Sequence, residues 1–383
     1  MGDPCDITSD QIWEDQRAAY DAMRSRCPVA HDGEGTWTVL RHAEVVAAAT
    51  DPGTYSSTVT ARRAIPNSLD GADHAAFRAI VDRYMTPERV AREESQCRAH
   101  AAAIVDALPR GSTVRTVAHL GVPFAVRTQS AWLGWPPDLE DVLVAWMADN
   151  HAATRSGDRE RTAAVAERFD AMIQGLLEAR REAAPDADVT AELMHETIGG
   201  RPLTDEEIVS ILRNWTAGDL GSIATSIGVI VHFLATHPEE QDLLRALAVH
   251  GNAAALEAAV EEILRIDDPF VANRRRATRD AELGGETIPA GARVILNWTA
   301  ANRDPLVFPD PDTFDPARHA ADNLVFGIGP HVCPGRALTL MELRVVTEEL
   351  LRRTAGITLS EERPTVRETP PVGGWARVPV VLR

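Results

Sequence analysis

The amino-acid sequence predicts a mainly α-helical domain with a small β portion, running as a single unit over residues 1–383. Three observations carry that expectation: one very long capped apolar helix near the middle, clear helix starts elsewhere, and strand signals that are few and local. In chain order, residues 36–40 alternate as a short strand. Thr86-Pro87-Glu88 opens a helix, with threonine as cap and proline in the first turn, where a missing N–H is tolerated. Thr204 with Glu207 three residues later forms a capping box, and the apolar run after it continues without proline to His237-Pro238. A helix of about 30 residues spans about 45 Å, so it is expected to cross the molecule. Residues 281–283 and 292–296 read as strands bracketing turns at Gly284-Gly285 and Pro289-Ala290-Gly291. The proline-rich stretch 304–316 is a loop. A helix over 336–353 and a strand over 378–382 complete the pattern.

Composition narrows the function. The net charge is -18 and none of the basic residues is lysine. An acidic surface argues against a nucleic-acid partner, because non-specific binding needs clustered positive charge. The four cysteines, Cys5, Cys27, Cys97 and Cys333, make no zinc pattern and no CxxC pair. With no signal peptide, free thiols in a reducing, cytoplasmic setting are the expectation. The opening Met-Gly lacks Ser or Thr at position 6, so myristoylation is not expected. No apolar run reaches the roughly 20 residues that span a bilayer, so no membrane partner is expected.

The most informative segment is Phe326-Gly327-Ile328-Gly329-Pro330-His331-Val332-Cys333-Pro334-Gly335. Glycines let such a loop bend close to a flat partner. Cys333 stands just before a helix, where unpaired N–H groups and the helix dipole favour an anion, which is expected to lower the thiol pKa. A lone cysteine in a glycine-rich turn is ordinarily a buried free thiol; the run as a whole argues otherwise. It resembles, at every fixed position, the Phe-Gly-x-Gly-x-His-x-Cys-x-Gly haem-binding loop of the soluble bacterial cytochrome P-450 family. The resemblance implies a triangular, mostly helical fold and haem b. It makes Cys333 the metal ligand, places His331 on a haem propionate and packs Phe326 against the proximal face.

Four further segments resemble the family's in the same order, and the likeness runs from about position 15 to the end. Glu262-Ile263-Leu264-Arg265 resembles its Glu-x-x-Arg pair; residues three apart share a helix face and can pair. Read alone, such a pair is a solvated one worth under about 1 kcal/mol. The resemblance adds Arg318, in Phe314-Asp315-Pro316-Ala317-Arg318, as the arginine completing a structural network behind the cysteine loop. His74 and Arg78, at i and i+4 on one helix face, resemble a His-x-x-x-Arg pair that binds a propionate, with a charge-assisted fork from the arginine. Arg275 stands in a segment resembling that of another propionate-binding arginine. Ala301-Asn302-Arg303-Asp304-Pro305 resembles the approach to the family's meander.

The long helix departs from the family, which carries Ala/Gly-Gly-x-Asp/Glu-Thr over the haem to support proton delivery to dioxygen. Here it reads Asn214-Trp215-Thr216-Ala217-Gly218-Asp219-Leu220-Gly221-Ser222. Anchoring on Gly228 and His237-Pro238 puts Gly221 in the acid place and Ser222 in the alcohol place. Anchoring on Ala217-Gly218 puts Leu220 and Gly221 there. The first register needs no insertion and keeps a hydroxyl. Asp219 is then the nearest acid, two positions early and expected to point elsewhere. Interior glycine costs about 1 kcal/mol relative to alanine in a helix, so Gly218 and Gly221 suggest close approach of something to the backbone.

The resemblance implies insertion of one oxygen atom from O2 into a small organic substrate, a secondary metabolite or an aromatic or xenobiotic compound. Electrons would come from NAD(P)H through a separate ferredoxin and ferredoxin reductase. Ser222 and Asp219 are the candidates for proton relay. Asn214, Ala217, Gly218, Val271, Asn273 and Val372 lie where the family lines its substrate pocket, and the two asparagines suggest a hydrogen-bonding group on the substrate. Residues 58–69 should form a lid, in which Arg62 and Arg63 read as solvated loop charges. Two alternatives stay open: a peroxide-driven or radical-coupling haem-thiolate oxidase, and a non-catalytic haem-thiolate ligand-binding protein.

Overall fold

The computed structural model describes residues 12, 14–60 and 63–383. Cys5 and Arg62, named above, lie outside them. Helices dominate, and the long one is their axis. Asp205–Ala217 and Asp219–Thr236 run on as one rod with a single-residue interruption at Gly218. Its start is the expected capping box: the Thr204 hydroxyl accepts from Glu207 N, and the Glu207 carboxylate accepts from Thr204 N. This 32-residue rod is long and apolar enough to cross a membrane, but 67% of its apolar window is buried inside the protein. Around it pack the helices Val122–Leu133, Arg159–Glu178, Ala253–Ile266 and Arg336–Arg353. The last of these also lies along Pro87–Ala107, which opens with Thr86 as cap and Pro87 in the first turn.

The β portion is one five-stranded sheet with small satellites. Its order is 29–31, 36–39, 293–297, 272–277, 55–56, with 36–39 and 293–297 parallel and the other pairings antiparallel. The strand at 292–296 was expected to bracket a turn with 281–283. Instead 281–283 closes a short hairpin with 286–288, and 293–297 leaves it to join the main sheet. The C-terminal strand Pro379–Leu382 pairs with Ile357–Leu359 and Thr113–Arg115. Cys27 is disulfide-bonded, contrary to the expectation of free thiols, whereas Cys97 and Cys333 are free.

One buried polar network ties the helices to the irregular segment before the cysteine loop. Glu262 and Arg265 are 2% and 0% exposed and are joined by two bonds of 2.7 and 2.9 Å. Arg265 also donates to the carbonyls of Asn302, Pro311 and Thr313. Glu262 accepts in addition from Asp315 N and contacts His319 Nδ1 at 2.6 Å. The pair is therefore not a solvated surface one. The assignment of Arg318 is corrected: its side chain is exposed, and the buried His319 takes the third place. The short helix Pro316–His319 is capped by Asp315, which accepts from Arg318 N. That cap turns the outer face of the single turn, with Arg318, to solvent and the next residue inward.

Breaking a buried ion pair by removing one partner typically costs 3–5 kcal/mol, whereas a surface substitution usually stays within about 0.5 kcal/mol. In urea unfolding, Glu262→Gln and His319→Ala are expected to lower stability by roughly 3 kcal/mol each, and Arg318→Ala by under about 0.5 kcal/mol.

Candidate active site

Cys333 sits at the end of a loop shaped by two glycines. Gly327 and Gly329 have φ of 71° and 78°, a left-handed conformation that side chains disfavour. At Gly329 a Cβ would stand 2.8 Å from the Ala49 carbonyl oxygen, so the loop is pressed onto the helix His42–Thr50. Cys333 N donates to Phe326 O at 2.8 Å, closing the loop. Phe326 packs against the main core, with the Arg336 guanidinium 5.7 Å from its ring centre.

The expected lowering of the Cys333 thiol pKa is not found in the protein alone. Burial pushes it up to about 12, with the Asp219 charge adding to the rise; the Gly335 N–H at the helix start opposes both and is outweighed. Desolvation of the thiolate exceeds what one helix terminus supplies.

Asp219 is likewise deep in the protein, where burial raises its carboxyl to about 7. Cys333 and Asp219 are both strongly desolvated, yet neither is fully covered by neighbouring atoms, and the Asp219 charge reaches Cys333. The offset of Asp219 in sequence thus still leaves its charge able to act on the cysteine. Ser222 Oγ donates to the helix carbonyls of Asp219 and Gly218, at 3.0 and 3.2 Å.

Basic side chains gather beside the cysteine loop. His74 and His331 have ring centres 4.1 Å apart. Their imidazoles are held below the ordinary value by burial first and then by cationic neighbours: Arg78 for His74; His74 itself, Arg275 and Arg78 for His331, which falls to about 4. Arg275 is buried on the strand Ala272–Ala277, and its side chain bonds the neighbouring Arg274 carbonyl. Burial lowers its pKa, with Asp70 opposing. Asp70 already accepts from Ser56, Ser57 N and Thr58. His331 Nε2 lies 3.0 Å from Ser57 Oγ, and Arg78 donates to the carbonyls of Pro330 and Val332. Arg78 also pairs with Asp82 at 2.5 Å, whereas the buried Arg275 has no carboxylate bonded to it among the described residues and faces only the Asp70 charge; Arg275 with the two imidazoles is a donor set that suits an anionic group. A flat group carrying two carboxylates, with a metal facing the cysteine, fits this cradle.

A family model described as Cytochrome P450 matches residues 147–376. Linalool 8-monooxygenase of Pseudomonas putida is 30% identical over 346 residues, covering 84% of each chain. The chain belongs to the cytochrome P450 family. Erythromycin C-12 hydroxylase of Saccharopolyspora erythraea is 32% identical over 366 residues, covering 90% of this chain and 88% of that one. Among solved structures, a mutant of P450 EryK in complex with erythromycin B superposes with a TM-score of 0.86 at 28% identity, covering 96% of each chain. Ligand-free P450 TbtJ1 gives the same TM-score at 29% identity. This P450 is accordingly an oxidoreductase of the monooxygenase family, which carries haem and uses dioxygen.

The residues expected to line a substrate pocket are only partly available. Asn214 Nδ2 donates to Ile65 O at 2.5 Å, and Asn273 Oδ1 accepts from Trp298 Nε1 at 2.9 Å. Both asparagines tie protein segments together. Val372 O accepts from Gln16 Nε2, Val271 is buried, and Ala217 and Gly218 keep accessible surface. In the expected lid, Arg63 is exposed and its carbonyl accepts from Ser210 and Arg213.

Two polar residues were not legible in the sequence. Glu342, on the helix Arg336–Arg353, is buried, and its carboxyl is pushed up to about 8 by burial and then by the Asp219 charge. His151, on the helix Glu140–Ser156, meets the long helix at Gly221, where a Cβ would lie 3.4 Å from Nε2. That imidazole is the group approaching Gly221. At Gly218 the nearest contact is the Asn214 carbonyl of the same helix.

The Glu342 shift has a sign that can be measured. The unfolded carboxyl ionises near 4.5 and the folded one near 8, so the folded state binds the extra proton between those values. Stability should fall as pH rises through that window, by about 1.4 kcal/mol per pH unit from this group. Denaturant unfolding of Glu342→Gln at pH 5 and pH 8 is expected to show a shallower decline than the parent.

Proposed function

We propose that this P450 inserts one atom of dioxygen into a small organic substrate of the secondary-metabolite kind, with Cys333 as the axial thiolate of haem b. The observation that carries this reading is the glycine-shaped Cys333 loop, with Arg275, His74 and His331 gathered beside it and the Asp219 charge reaching the thiol. When bound, a thiolate-ligated haem supplies the electron density that favours O–O cleavage. The protein's own residues do the rest. Arg275, His331, His74 and Arg78 would hold the propionates. The Phe326 ring and the glycine turns fix the height of the Cys333 sulfur. Val271, Ala217 and Val372 supply apolar walls.

Protons must reach the distal side, and Asp219 is the residue placed to deliver them. A carboxyl near pKa 7 can both hold and release a proton at neutral pH, which suits general acid work. Ser222 keeps its hydroxyl on the helix carbonyls and is the weaker candidate. Supply of electrons from NAD(P)H by a ferredoxin and its reductase fits a groove of about 520 Å³ beside the cysteine loop, walled by Pro334, Arg336, Leu340 and Arg344. A cytoplasmic setting agrees with the relatives' character. The named substrates of the relatives, linalool and erythromycin, indicate the range of compounds to screen.

Three outcomes are expected. Reduced, carbon monoxide-treated wild type shows the thiolate-haem absorption band, and Cys333→Ala loses it. Retention of the band in that variant contradicts the ligand assignment. Arg275→Ala and His331→Ala each loosen haem by the equivalent of roughly 1–3 kcal/mol, read as faster transfer to apomyoglobin. With a confirmed substrate, Asp219→Asn lowers product formed per NAD(P)H by about 10-fold or more, and Ser222→Ala lowers it by less. A larger effect at Ser222 assigns the relay to the hydroxyl. Peroxide-driven turnover equal to the partner-driven rate favours the peroxide-using alternative.

A further inference from the structure

We propose that His151 is the specificity-determining residue of this site, holding an un-ionised oxygen group of the substrate, a carbonyl or a hydroxyl, by a hydrogen bond above the long helix at Gly221. The inference rests on the oxygenase reading above and names the substrate class of that same site.

Three observations place the residue. First, Nε2 stands 3.4 Å from where a Cβ at Gly221 would be. The imidazole occupies the space into which an acid at that position would extend, so glycine and histidine complement one another across the two helices. Second, apart from Asp219, assigned above to proton delivery, the polar residues named for the site are engaged by protein. Asn214 bonds the Ile65 carbonyl, Asn273 bonds the Trp298 indole, and Ser222 bonds its own helix. Arg155, one turn beyond His151, is tied to the buried Glu368 carboxylate at 2.5 and 2.6 Å. His151 makes no side-chain hydrogen bond among the described residues, although it is largely withdrawn from solvent. The residue keeps some accessible surface, so its ring nitrogens are open to a ligand or to water, and a ligand must match the bond it displaces. Third, the residue's surroundings select a neutral partner. Burial and then the Arg155 guanidinium hold the imidazole below its ordinary value, with Glu368 opposing. The ring is therefore uncharged at neutral pH, with one N–H donor and one acceptor nitrogen. It suits a carbonyl or hydroxyl and gives a carboxylate no ion pair.

The test uses the haem-loaded protein and matched probes that differ by one carbonyl, α-tetralone and tetralin. Binding is read from the low-to-high spin absorbance shift, without turnover. Wild type is expected to bind the ketone about 5–10-fold more tightly than the hydrocarbon, the effect of one neutral hydrogen bond. His151→Phe should erase that ratio while keeping the thiolate-haem band and the unfolding midpoint. His151→Gln, which retains an N–H donor, should recover part of it. A ratio unchanged in His151→Phe overturns the proposal, as does a wild type with no preference, whether it binds both probes or neither. Loss of the thiolate-haem band in wild type would instead refute the oxygenase reading itself.

Discussion

The buried carboxylate of Glu262 is the point from which the proximal half of this protein hangs. It lies between the Arg265 guanidinium and the His319 ring and also accepts the Asp315 N–H. Arg265 passes that constraint to the Asn302 carbonyl, and the Asn302 side chain takes the Leu324 N–H at 2.7 Å. Two residues later Phe326 begins the cysteine loop. A charge removed from water is tolerated only when its lone pairs are fully answered. Satisfying Glu262 therefore fixes the long irregular segment 302–325, which has little regular hydrogen bonding of its own. The position of the Cys333 sulfur follows from that segment and from the close seat of Gly329 on Ala49.

The distal half depends on the long helix. Its interruption at Gly218 and the bare surface at Gly221 flank Asp219 and Leu220 in one short stretch. Asp219 enters at the first, and the His151 imidazole approaches the second. A helix otherwise enclosed by packed apolar side chains thus carries its polar chemistry in one short stretch, where interior glycines cost stability and admit neighbours. The cationic edge follows the same logic. Arg275 is withdrawn from water with only the Asp70 charge opposing its desolvation, and burial keeps His74 and His331 below their ordinary values, so an anionic group placed there would find an under-compensated guanidinium.

Much of this was legible in the sequence, for identifiable reasons. The cysteine loop combines fixed glycines, a histidine and a cysteine before a helix, so residue types and spacing constrain one another. The capping box at Thr204 and Glu207 is a local device and reads locally. The failures occur where neighbours in space decide. Arg318 and His319 are adjacent in a single helical turn, and only the packing of that turn selects the histidine. The Cys333 thiol was expected to be acidified by the helix start, but its burial outweighs that effect. Asp219 is displaced in sequence from the usual acid, and only the folded chain brings its charge within reach of Cys333. His151 is a lone histidine on an ordinary helix, and its meaning appears only when Gly221 is found opposite. The strand 293–297 left its expected hairpin because the main sheet offered it a partner on each side.

The central claim is that Cys333 and the Arg275–His331 edge together define one haem site with Asp219 on its far face. A crystal structure of the haem-loaded protein tests this most directly. The account predicts iron within bonding distance of Cys333 Sγ, propionates on Arg275 and His331, and the Asp219 carboxyl on the opposite face of the ring. Iron bound through His74 or His331, or propionates directed away from Arg275, would contradict it.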